Sequence, residues 1–183
     1  FNTMKKLLLL LIIPFLSFGQ DLFTIPISEK TGKACYENVI HIDSVSKADL
    51  YILAYQWFAE TFNSPDDVIK MQDKEGGVII SRGIIPAFRK PNRESGHINF
   101  SMSFFAKEGR YKYVITDISH YSQPGERKTL GGAIENEVPE CGYLIRPKKQ
   151  WKYLQEQAHI QFKNLEMSLK NYIANNLDEE DDW

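Results

Sequence analysis

Ile98-Asn99-Phe100-Ser101-Met102-Ser103-Phe104-Phe105-Ala106-Lys107-Glu108-Gly109-Arg110-Tyr111-Lys112-Tyr113-Val114-Ile115-Thr116 is the stretch that decides the fold. Ile98, Phe100, Met102 and Phe104 alternate with Asn99, Ser101 and Ser103. Successive side chains of a strand point to opposite faces, so this alternation predicts a sheet with one buried face. Lys107-Glu108-Gly109 turns the chain into a second strand, Arg110 to Ser119. There Tyr111, Tyr113 and Ile115 share one face, and Lys112, Val114 and Thr116 the other. The two strands form an antiparallel hairpin.

Working outward, Val68 to Asp73 and Val78 to Ile85 read as two more strands, joined through Glu75-Gly76-Gly77, where glycine permits positive φ. A fifth strand is expected at Tyr36 to Ile42. Ser46 then begins a helix, with Asp49 three residues on and Leu50, Leu53, Ala54, Trp57 and Phe58 at helical spacing. This helix should end near Phe62, before Asn63-Ser64-Pro65.

Beyond the hairpin, Tyr121 to Arg146 carries Pro124-Gly125, Gly131-Gly132, Pro139 and Cys141-Gly142 and reads as one long connection without structure of its own. Such a connection is unusual in a compact domain and is either functional or mobile. Pro147 suits the first turn of a helix, and Trp151, Leu154, Ala158, Phe162, Leu165, Leu169, Tyr172 and Ile173 trace one apolar stripe from there. The order β-α-β-β-β-β-α is expected to give an α+β fold of two layers, with both helices on the apolar face of a five-stranded antiparallel sheet.

Met4-Lys5-Lys6 followed by Leu7 to Phe18 has the form of a secretory signal, with translation starting at Met4. Ser17-Phe18-Gly19 places small residues before a cleavage point at Gly19/Gln20. The apolar run is shorter than the roughly 20 residues of a spanning helix, and Pro14 interrupts it. The division is therefore signal peptide 4–19, extended lead-in 20–34, one domain 35–177 and an acidic tail 178–183. The protein is expected to be exported, to the periplasm or beyond, with no membrane span after cleavage. Loss of Lys5 and Lys6 leaves 20 of the 22 basic residues against 24 acidic ones and moves the net charge from −2 to −4. That balance argues against nucleic acid as a partner, because phosphate binding rests on clustered cations. In an oxidising compartment Cys35 and Cys141 either form one disulfide or remain two separate thiols.

The same element order, with Ala48-Asp49-Leu50-Tyr51 leading to Trp57-Phe58 and the hairpin piece Lys107-Glu108-Gly109-Arg110-Tyr111-Lys112-Tyr113-Val114-Ile115-Thr116, resembles a secreted bacterial family, domain of unknown function 4468. The resemblance spans about Tyr36 to Tyr121 and implies a TATA-binding-protein-like fold. It brings no catalytic residues. The eponymous fold reads DNA from a saddle of two repeats, whereas this chain has one repeat, an acidic balance and an export signal.

Partnered chemistry is sparse. His41, His97, His120 and His159 have no spacing that places two ligands on one metal, so neither a metal nor a cofactor is expected. A cysteine nucleophile needs Cys35 with His41 or Cys141 with His120, and no local motif supports either pair. G-x-S-x-G is absent, and Ser81-Arg82-Gly83 reads as strand and bulge. Glu135, Glu137 and Glu140 could act as general acids or bases, so the alternative function is a small periplasmic hydrolase built on the 121–141 loop. The favoured function is a non-catalytic binding or envelope-associated module. Phe100, Phe104, Tyr111, Tyr113, Trp151 and Leu154 are the candidate ligand-binding wall, forming either a cavity for an apolar small molecule or a filled core. The 121–141 loop is the candidate contact surface for an envelope protein.

Overall fold

The computed structural model describes residues 23–62, 68–122 and 129–177. The signal peptide, the Asn63-Ser64-Pro65 helix stop, part of the long connection and the acidic tail lie outside the described residues. The elements are β1 (Tyr36–His41), α1 (Lys47–Thr61), β2 (Ile69–Asp73), β3 (Val78–Lys90), β4 (Arg93–Lys107), β5 (Arg110–Tyr121), β6 (Gly132–Ala133), α2 (Gly142–Ile145) and α3 (Lys148–Asn175). The strands form one antiparallel sheet in the order β1-β5-β4-β3-β2, with β6 also paired to β5. The sheet has six strands rather than the five expected, because two residues of the long connection add β6 beside Ser119 and His120.

The alternation of β4 is obeyed along its length: Ile98, Phe100, Met102, Phe104 and Ala106 are all buried. In β5 the pattern holds through Tyr111, Tyr113 and Ile115 and then slips, so that Ile118 and His120 are the next inward residues. The cause is a bulge: Asp117 takes a left-handed conformation, φ 54°, and the β4 register shifts between Asn99 and Ser101. One extra residue flips the alternation that follows it. β3 runs beyond Ile85 to Lys90 and meets β4 through the turn at Pro91-Asn92, where polar residues conceal the strand from a hydrophobic reading. Gly77 has φ +70° in the β2–β3 turn, as that turn demands.

Ser46 caps α1 by accepting from Asp49 N–H at 3.1 Å, while its hydroxyl donates to Asp49 Oδ2 at 2.6 Å. α1 buries Leu50, Tyr51, Ala54, Trp57 and Phe58. α3 spans 28 residues, and Pro147 sits at its N-cap rather than in its first turn, its carbonyl accepting from Gln150 and Trp151. Both helices lie on one face of the sheet and are pinned to each other. Trp57 Nε1 donates to Ser168 Oγ at 3.0 Å, and Tyr172 Oη donates to Glu60 Oε1 at 2.8 Å. Among the described residues the other face of the sheet carries no helix. The described part of the lead-in packs, with Ile27 bridging Ala34, and Ala34 is buried.

Candidate functional site

The six residues expected to wall a cavity do come together, but as packed core. Phe100, Phe104, Tyr111, Tyr113, Trp151 and Leu154 are each no more than 2% exposed. Phe104 stacks on Tyr111 at 5.3 Å between ring centres, and Phe100 meets Phe162 edge-on at 5.2 Å. Aromatic rings at inward strand positions meet the long helix between the layers, where large side chains ordinarily pack closely. Phe100 covers Gly83 on the neighbouring strand so closely that a Cβ there would lie 2.2 Å from the ring. Burial pushes the Tyr111 hydroxyl up to about 12.

Two polar contacts adjoin this core, one buried and one part-buried. The inward position after Phe162 is occupied by Glu166 instead of the half-buried Leu165. Tyr113 Oη donates to Glu166 Oε1 at 2.8 Å, and Lys163 Nζ meets Glu166 Oε2 at 2.5 Å. Burial first, then the hydrogen bond and charge of Glu166, raise the pKa of Tyr113. Tyr36 Oη and His159 Nδ1 are 3.0 Å apart. Burial, then the Lys163 charge, lowers His159. Tyr36, Lys163 and Glu166 border a cleft of about 440 Å³ together with Cys35, Glu37 and residues 26–30.

The long connection is clasped to the far end of β5 by His120. Its Nδ1 accepts from Gly131 N–H at 2.9 Å, which leaves Nε2 as the donor to Ser95 O at 2.6 Å. Arg146 donates to Ser95 Oγ at 3.1 Å and Thr129 O at 2.8 Å, and Trp151 Nε1 to Asn136 O at 2.8 Å. With burial as the main cause, the His120 pKa falls to about 4. Both of its ring nitrogens are engaged by main chain, so it offers no base to Cys141. Within the described part of the connection, β6 and α2 replace the expected absence of structure. Glu135 is half-buried, and Glu137 and Glu140 are exposed. Cys35 and Cys141 are free thiols in this structure. Cys35 precedes the rung Tyr36–Ile115, whereas Cys141 is tied through Leu130 to the His120 end of β5. Burial raises the Cys35 thiol. Among the described residues no three His, Cys, Asp or Glu side chains group as a metal site.

What the sequence reading missed lies on the uncovered face. Val39 of β1, Val114 of β5 and Phe105 of β4 point outward and floor an apolar pocket of about 590 Å³. Lys107, Arg110 and Lys112 edge it, Tyr111 of the expected wall also borders it, and Glu37 is the one carboxylate among its lining residues. Glu37 is taken up by Lys112 at 2.7 Å. Lys107 and Arg110 have no ion-pair partner among the described residues, and Glu108 in the turn between them pairs with neither. The available signal was Phe105 and Val114, apolar residues at positions where an outward-facing strand residue is usually polar.

Residues 36–121 match the family model described as domain of unknown function (DUF4468) with TBP-like fold. Among solved structures, the chain is similar to a TBP-like protein from Parabacteroides distasonis ATCC 8503. The identity is 18% and the TM-score 0.64, over 82% of this chain and 97% of that one. It is also similar to a DUF4468 family protein from Bacteroides ovatus ATCC 8483, at 16% identity and TM-score 0.56, over 78% of this chain and 90% of that one. At these identities the likeness is one of fold. No curated protein matches the chain.

Proposed function

We propose, from the premise that residues 36–121 form a DUF4468 domain with a TBP-like fold, that the chain is an exported, non-catalytic binding module whose ligand site is the uncovered face of its sheet. The observation that carries this reading is the apolar floor of Val39, Phe105 and Val114 in a pocket of about 590 Å³. That volume lies in the range of small-molecule sites, which are mostly apolar with a few placed polar groups. Val39 is 47% exposed. Apolar surface held open to water has a cost that a ligand removes, at roughly 25 cal/mol per Å² covered.

The residues that might have supported hydrolysis favour binding instead. His120 is locked as a neutral structural group, and the carboxylates of the 121–141 loop have no paired nucleophile among the described residues. An enzyme needs such groups as partnered sets.

The test is native mass spectrometry of the protein purified gently from its own envelope fraction. The expected result is a mature chain beginning at Gln20 that carries additional small-molecule mass, lost in Val114→Asp. A bare chain that also takes up nothing from a library of lipids and small apolar molecules would overturn the binding reading. Retention of residues 4–19 would overturn cleavage of the signal.

A further inference from the structure

Lys107 and Arg110 are Cα partners in the last rung of the β4–β5 ladder, and Arg110 is also the partner of His41 on β1. Like charges directly opposite each other on a sheet are destabilising. No carboxylate offsets this pair among the described residues, yet the two cations stand at the edge of the apolar pocket. The nearest acid in that pocket, Glu37, is already held by Lys112. An uncompensated pair of cations beside an apolar floor is complementary to a molecule with an anionic head and an apolar chain.

We infer that the pocket takes a single-chain amphipathic anion, its chain lying on Val39, Phe105 and Val114 and its carboxylate or phosphate monoester held between Lys107 and Arg110. This rests on the binding reading above and adds the ligand class. A neutral apolar ligand would leave the two cations repelling each other. A polyanion such as duplex DNA needs phosphate contacts spread along the surface, and here the centre of the site is hydrocarbon. Arg110 presents a planar fork suited to both oxygens of a carboxylate or phosphate, and Lys107 adds a point charge. The committed source is a monomeric amphiphile in solution, small enough for a pocket of about 590 Å³.

The experiment is calorimetric titration of the full mature chain with dodecanoate and with dodecyl phosphate below their aggregation limits, against dodecyl maltoside as the neutral comparison. Both anions should bind at least roughly tenfold tighter than the maltoside, a difference equivalent to about 1.4 kcal/mol. The variant Lys107→Ala/Arg110→Ala should lose that preference while keeping its circular dichroism spectrum, and Lys107→Arg should retain it. Equal binding of neutral and anionic probes, abolished together by Val114→Asp, would overturn the ligand class and leave the binding surface standing. Absence of binding by all three probes would overturn both. Binding to phosphatidylglycerol vesicles without binding of monomeric dodecanoate would overturn the committed source. Binding of duplex DNA that dodecanoate does not displace would overturn the amphiphile in favour of a polyanion.

Discussion

Lys107 and Arg110 face each other across the final β4–β5 rung with the same charge and no carboxylate paired to either among the described residues. Reversing one of them should relieve the repulsion. Lys107→Glu is expected to raise the melting temperature by roughly 1–2 °C at low ionic strength, from the size of cross-strand charge effects in a chain of this length. The gain should fade by about 1 M salt, where charges are screened within ~3 Å. The same variant should lose dodecanoate binding. Thermal denaturation at two salt concentrations, followed by titration, checks both halves. A destabilised variant would mean that the rung is not repulsive.

The contact between Tyr113 and Glu166 places a carboxylate inside the core layer. Tyr113→Phe removes the hydrogen bond while leaving the acid buried, and should cost about 1–3 kcal/mol. Replacing both partners, Tyr113→Phe with Glu166→Leu, should cost less than the sum of the single changes, because the stranded polar group is then gone. Urea unfolding of the four proteins gives the coupling. Strict additivity would show that the two groups do not interact.

His120 supplies a pH dependence whose sign is fixed by its burial. Its pKa falls from the ordinary value of 6.5 to about 4 in the folded chain. Between these values the unfolded chain binds the extra proton, so stability is full above about pH 6.5 and declines as the pH falls toward 4. The difference is about 3 kcal/mol, from 1.36 kcal/mol per unit of pKa. His120→Gln should be less stable at neutral pH but lose less of its stability across this interval. Denaturant midpoints at pH 7 and pH 4.5 measure it. Identical slopes in both proteins would place the acid sensitivity elsewhere.

Gly83 tests the packing of β3 on β4. A Cβ at this position would lie 2.2 Å from the Phe100 ring, so Gly83→Ala forces the ring to move. Overpacking of this kind costs about 1–3 kcal/mol. Adding Phe100→Leu should recover part of the Gly83→Ala loss. If Gly83→Ala were neutral by thermal denaturation, the ring would not be confined there.

The fold was largely legible because β4 and the first half of β5 obey strict alternation, and because the stripe from Trp151 to Ile173 has helical spacing. The failures have local causes. The bulge at Asp117 reverses the face of everything after it, and a single aspartate at a strand position carries no signal of that slip. A hydrophobic reading takes Leu165 rather than Glu166, because it excludes the charged residue although the 162–166–169 step is the better helical register. β6 is only two residues long and exists because His120 holds Gly131 in place. The expected binding wall and the open-face pocket differ for a simpler reason. Tyr113 and Val114 sit side by side on the same strand and face opposite ways, and which of the two faces is covered depends on where the helices land. The sequence puts the helices on the apolar face, but the consequence for Val39, Phe105 and Val114 on the opposite face shows in no single segment.

The central claim is that ligand meets the outer face and not the core, and methyl NMR during a dodecanoate titration tests it most directly. The account predicts saturable shifts at the methyls of Val39 and Val114, with those of Leu154 and Leu169 unmoved, since the latter two are fully buried beneath the sheet and helices. Shifts confined to Leu154, Leu169 and Ile115 would contradict it and place the ligand between the sheet and α3.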